Sequence, residues 1–137
     1  MKHSSIQQES FTILVTGSVL GSQANESALR FAIAALEQGK SVKQVFFYSE
    51  GASVANSKLL PLADELHATK LWQGLQRDYG LDLSVCIASA ERRGVVGAQS
   101  ADDHQIDGQN LADGFSVVGL AQFHNAMLSS SHLMRFA

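Results

Sequence analysis

The chain carries one thiol, Cys86, inside residues 81–94, LDLSVCIASAERRG. A thiolate is the nucleophile of sulfur exchange, attacking a sulfane sulfur and later giving it up to another thiolate. Downstream lie Ser89, of a type that caps turns and helices, and the pair Arg92–Arg93. Backbone N–H groups at such a cap and nearby guanidinium groups favour thiolate over thiol. The expectation is a partly exposed Cys86 with Ser89, Arg92 and Arg93 tuning or positioning it. An unpaired cysteine also serves as a small buried hydrophobe, so this stretch alone leaves both roles open.

Other chemistry-bearing residues give weaker patterns. The turn Thr16-Gly17 through Gly21-Ser22-Gln23 follows an apolar run and precedes a helical one, but it matches neither glycine-rich nucleotide fingerprint and has no phosphate-binding lysine. His3, His67, His104, His124 and His132 are scattered without metal-ligand spacing. His104 beside Asp102 and Asp103 is the one cluster among them, and it reads as a solvated loop. Ser129, Ser130 and Ser131 lack a nucleophile-elbow context. No metal or cofactor is expected.

Strand and helix patterns alternate around these residues. Short β-branched or apolar runs at residues 11–16, 42–48, 81–86, 115–118 and 132–136 read as strands. Between the first two, Leu29, Ile33 and Leu36 recur at helical spacing after a candidate N-cap, Asn25, with Gly39 as the stop. Residues 50–61 read as a loop. A second helix is expected from Asp64 to about Tyr79, striped by Leu71, Leu75 and Tyr79, with Trp72 near the stripe as core or interface. Residues 97–110 suggest a loop with a short helix, and Leu120, Phe123 and Met127 a last short helix. The fold class is therefore α/β: three layers, α/β/α, with a mainly parallel sheet of about five strands. Chemistry in such sheets gathers at the strands' carboxyl ends, where the Thr16-Gly17 turn, the loop after Tyr48 and Cys86 fall.

The 137 residues suit one domain, expected over 11–137 behind a flexible tail of residues 1–10. That tail is polar and lacks a signal peptide's apolar core, and no apolar run approaches a membrane span. A cytoplasmic location is expected. Net charge is −3 and the longest basic run is Arg92–Arg93, which disfavours direct nucleic-acid binding, because phosphate neutralisation supplies most of that affinity.

With these residues in order, the chain resembles the DsrE/TusD family of sulfur-relay proteins, nearest its TusD branch. Five places carry the likeness: Thr16-Gly17 with Gly21-Ser22-Gln23; Val45-Phe46-Phe47-Tyr48 with Glu50-Gly51 and Ala55-Asn56; Cys86 with Ala88, Ala90 and Arg92-Arg93-Gly94-Val95; Asn110-Leu111 with Gly114-Phe115 and Gly119-Leu120; and Arg135-Phe136. Cysteine followed by Arg-Arg-Gly-Val is the most specific of them. The resemblance implies a DsrE-like fold and a sulfurtransferase that carries sulfur as a persulfide on Cys86. It further implies work in an oligomer with TusB- and TusC-like subunits, a TusA-like donor and a TusE-like acceptor, toward 2-thiouridine in tRNA. Thr16, Gly17, Gly21, Tyr48, Gly51 and Asn56 become candidates to line the site. Two alternatives stand beside this reading: a DsrE-like role in dissimilatory sulfur oxidation, and a non-catalytic module that binds a small ligand at the Thr16–Gly21 turn.

Overall fold

The computed structural model describes residues 8–137. Its sheet is built from β1 (Ser10–Val15), β2 (Ser41–Phe47), β3 (Leu83–Cys86), β4 (Phe115–Val118) and β5 (His132–Phe136). The strands lie in the order β4-β3-β2-β1-β5, and every neighbouring pair is parallel. Parallel neighbours need long crossovers. These contain α1 (Ala24–Glu37), α2 (Ala68–Tyr79), the short α3 (Ile87–Arg92) and α4 (Ala98–Asp103), and α5 (Leu120–Ser129).

Side chains alternate between the two faces of a strand. Ile13, Val15, Val45, Phe47, Leu83, Val85 and Phe115 share one face and form the core with Ala28, Leu29 and Ala32 of α1 and Ala68 and Trp72 of α2. Phe47 meets the Trp72 ring edge-on at 5.4 Å. The opposite face carries Thr12, Leu14, Gln44, Phe46, Ser84 and Cys86. There α5 supplies Phe123, stacked on Phe46 at 4.7 Å. The α5 crossover joins the two edges of the sheet, so the expected three-layer α/β/α arrangement is present. Its second outer layer is thin, because no residue of α5 is buried.

Several local expectations change. Ser10 already belongs to β1, and the Glu9 carboxylate bonds Lys40 and His132, so residues 9 and 10 are part of the fold; residues 1–7 of the expected tail lie outside the described residues. Asn25 is no cap. It sits within the first turn of α1, 2% exposed, where its Oδ1 accepts the Trp72 indole N–H at 2.9 Å. On α1 the buried stripe is Ala28, Leu29, Ala32 and Ala35, whereas Ile33 faces solvent. Small residues let this helix approach the sheet closely. Helix α2 starts at Ala68, behind a turn in which the Glu65 carboxylate accepts the Leu62 N–H at 2.6 Å. Its buried residues are Ala68, Thr69 and Trp72, while Leu71 and Tyr79 are exposed. Residues 50–61 are not all loop, since a 3-10 helix spans Ser49–Ala55 with Gly51, Ala52, Val54 and Ala55 buried.

Candidate functional site: the Cys86 cleft

Cys86 is the last residue of β3 and the residue on which α3 begins. The run Leu83-Ser84-Val85-Cys86 makes a strand flanked by β2 and β4, and the backbone turns directly into Ile87-Ala88-Ser89. No side chain caps the first amide groups of α3. The helix ends at Arg92, after which Gly94 takes a left-handed φ of 71° that glycine tolerates best.

The β2–β3 register sets Phe47 opposite Val85, which brings the next residues of each chain segment, Tyr48 and Cys86, to one end of the sheet. Tyr48, Ser49, Cys86, Ala88, Ser89, Arg92 and Arg93 line an open cleft of about 300 Å³. The thiol stands on its inner wall: Cys86 is only 5% exposed, in place of the partly exposed thiol expected. Burial follows from its position inside the sheet, between β2 and β4.

Ser89 also departs from expectation. It is the third residue of α3, not its cap, and its Oγ accepts the backbone N–H of Ser49 at 2.9 Å. It therefore joins the 3-10 helix to α3. Arg93 makes a second join, donating to the Ser89 carbonyl at 3.1 Å and to the Glu50 carboxylate at 2.9 Å. That guanidinium holds the Glu50 carboxyl below its usual value of 4.5. Arg92 is exposed and has no carboxylate partner among the described residues.

The remaining candidates divide. Tyr48 lines the cleft. Gly51 backs the neighbouring strand: a Cβ there would lie 2.3 Å from the Val15 carbonyl oxygen, so its role is close packing. Asn56 faces elsewhere, where its Oδ1 accepts from the Asn110 amide at 3.2 Å. Thr16, Gly17 and Gly21 stand beyond β1 and do not line the Cys86 cleft; Gly17 is wedged against Ala24 and the backbone of Ala137. His104 meets Glu91 at 3.4 Å. Among the described residues no three His, Cys, Asp or Glu side chains converge as a metal site.

The DsrE/DsrF-like family model matches residues 9–136. The chain belongs to this family. It is 43% identical to the sulfurtransferase TusD homolog of Aliivibrio fischeri over 92% of this chain and 97% of that protein. It is also 43% identical to sulfurtransferase TusD of Erwinia tasmaniensis, over 92% of this chain and 98% of the relative. The crystal structure of the ychN protein from E. coli superposes with a TM-score of 0.76 over 95% of this chain and 100% of that one, at 20% identity, a likeness of fold.

In this DsrE/DsrF-like chain the cleft offers one nucleophilic sulfur and two guanidinium groups on an open wall. Two contributors escaped sequence reasoning, Ser49 and Glu50. Their partners, Ser89 and Arg93, lie 40 and 43 residues away. Strand order and register carry that signal; local spacing does not. Among the described residues no helix is long and apolar enough to cross a membrane.

Proposed function

We propose that the chain is a sulfurtransferase of a cytoplasmic sulfur relay, with Cys86 as the carrier. One observation bears most of the reading: in a chain 43% identical to a sulfurtransferase TusD, the only cysteine opens onto a cleft shared with Arg92 and Arg93. The Cys86 thiolate attacks the outer sulfur of a donor persulfide, the donor S–S bond breaks, and the donor leaves as a thiolate. An acceptor thiolate then attacks the outer sulfur on Cys86, which returns as a thiolate. Protonation and redox state balance across the two steps, so no cofactor takes part.

The partners in this reading are proteins: a TusA-like donor, a TusE-like acceptor and TusB- and TusC-like subunits, with 2-thiouridine of tRNA as the end of the pathway. Loss of Trp72 from the surface removes it as an assembly contact, since it is fully buried. The loop after Tyr48 remains, and Leu60 and Leu62 there are 87% and 69% exposed. Exposed apolar groups clustered in this way suit an interface. The net charge of −3 supports transfer to protein and not to tRNA directly.

The test is onward transfer. Chain loaded with sulfane sulfur and mixed with a TusE-like acceptor loses its added mass as the acceptor gains it. Retention of sulfur by the loaded chain with every candidate acceptor, or salt-sensitive micromolar binding of tRNA by the chain alone, contradicts the reading.

A further inference from the structure

Tyr48 borders two cavities. It lines the Cys86 cleft, and with Leu14, Phe46, Leu120 and Phe123 it also encloses a hollow of about 160 Å³ made only by apolar or aromatic side chains. Phe46 and Cys86 lie on the same sheet face, and the Tyr48 ring stacks along Phe46 at 6.2 Å with a 23° tilt. The hollow opens to water: Leu120 on its rim is 55% exposed. On the cleft side of Tyr48, Arg92 is a cation without a carboxylate partner among the described residues, whereas Arg93 is engaged by Glu50. An apolar seat and an unmatched positive charge thus flank the route to the one thiol.

We infer that the hollow is a docking seat for the protein that exchanges sulfur with Cys86. It takes an apolar side chain from the segment bearing the partner's cysteine, and Arg92 takes a carboxylate of the same segment. Two features argue for this occupant. The seat is continuous with the Cys86 cleft through Tyr48, so whatever fills it is delivered to the sulfur. The unmatched Arg92 asks for an acidic group beside the apolar one. A small persulfide spans neither feature, so it can still load Cys86 but gains nothing from the seat, which speeds exchange with polypeptide alone. This inference rests on Cys86 as sulfur carrier, and it adds Tyr48, Phe46, Leu120 and Phe123 as specificity residues.

The experiment reads docking without needing persulfide. Short acidic peptides each carry cysteine as its pyridyl disulfide, and one leucine is walked through the positions on either side of that cysteine. Attack by the Cys86 thiolate forms the mixed disulfide and releases pyridinethione, followed by absorbance. The expected result is a rate about tenfold higher at one or two leucine positions than with serine there. That advantage disappears in Leu120→Asp and shrinks when the acidic residues become lysine. Leu120 is exposed, and an unchanged iodoacetamide rate in Leu120→Asp shows that Cys86 itself is intact; if that rate changes, Phe123→Ser repeats the comparison. Rates independent of leucine position in the unaltered protein overturn the inference. So does a self-associated protein that Leu120→Asp dissociates without any leucine preference, which assigns the seat to a second copy. Failure of sulfur loading with leucine selectivity intact strikes the carrier reading alone.

Discussion

The Ser89 hydroxyl accepts the backbone N–H of Ser49 at 2.9 Å, and Ser49 itself has a φ of 56°. A non-glycine residue in the left-handed region stores strain of about 1 kcal/mol or more, and it persists where neighbours over-determine it. Ser89 is one such neighbour, fixing the first residue of the 3-10 helix against the helix that follows Cys86. Ser89→Ala leaves that N–H without its acceptor and is expected to cost about 1–2 kcal/mol, read as a lower urea midpoint at unchanged slope. No loss of stability would show that the join is dispensable.

Glu50 makes the same join sensitive to acid. Its carboxyl is lowered below 4.5 by the Arg93 hydrogen bond first and by the guanidinium charge second. A carboxylate with a depressed folded-state value adds stability that is fully present above the unfolded value and is lost as pH falls through the lower one. The urea midpoint of the unaltered protein should therefore exceed that of Glu50→Gln at neutral pH. The gap should close as pH drops from 4.5 through the lower folded value, and it should narrow in high salt because the pair is exposed. A gap constant with pH contradicts this account.

Trp72 couples α2 to α1 through the core. It is fully buried against Phe47, and its indole N–H is the donor to Asn25 Oδ1. Trp72→Phe opens a cavity and removes that donor, for an expected loss of about 2–4 kcal/mol. Circular dichroism during urea unfolding measures it, since Trp72 is also the only tryptophan. A loss well under about 1 kcal/mol would mean that the core closes around the smaller ring.

The legible parts of the fold were those set by short-range rules. Gly114 and Gly119 bracket the apolar run Phe115-Ser-Val-Val118, and β4 occupies those residues. Helix α2 ends at Tyr79, where its pattern placed the end, and Gly80 stops it with a left-handed φ of 67°. The misread parts were those where tertiary partners overrode local preference. Asn25 has the chemistry of a cap, but the buried indole of Trp72 claims its oxygen. Leu71, Leu75 and Tyr79 are the expected stripe of α2, yet only Leu75 packs against the core, in line with Ala68 and Trp72, while Leu71 and Tyr79 are exposed. In the cleft, Cys86, Arg92 and Arg93 were legible from type and strand position, and Tyr48 came from the family resemblance. The role of Ser89 was not, because it depends on a partner across the β2–β3 crossover.

The most direct measurement is the intact mass of the protein after incubation with a small persulfide donor, compared with Cys86→Ser treated alike. Cys86 is the only thiol in the chain, and persulfide formation requires a thiolate. The account predicts that the unaltered protein gains one sulfur atom, that reductant removes it, and that Cys86→Ser, folded by circular dichroism, gains none. An unaltered protein that stays at its original mass while its thiol is titratable in the native state would contradict the account, as would an equal gain in Cys86→Ser.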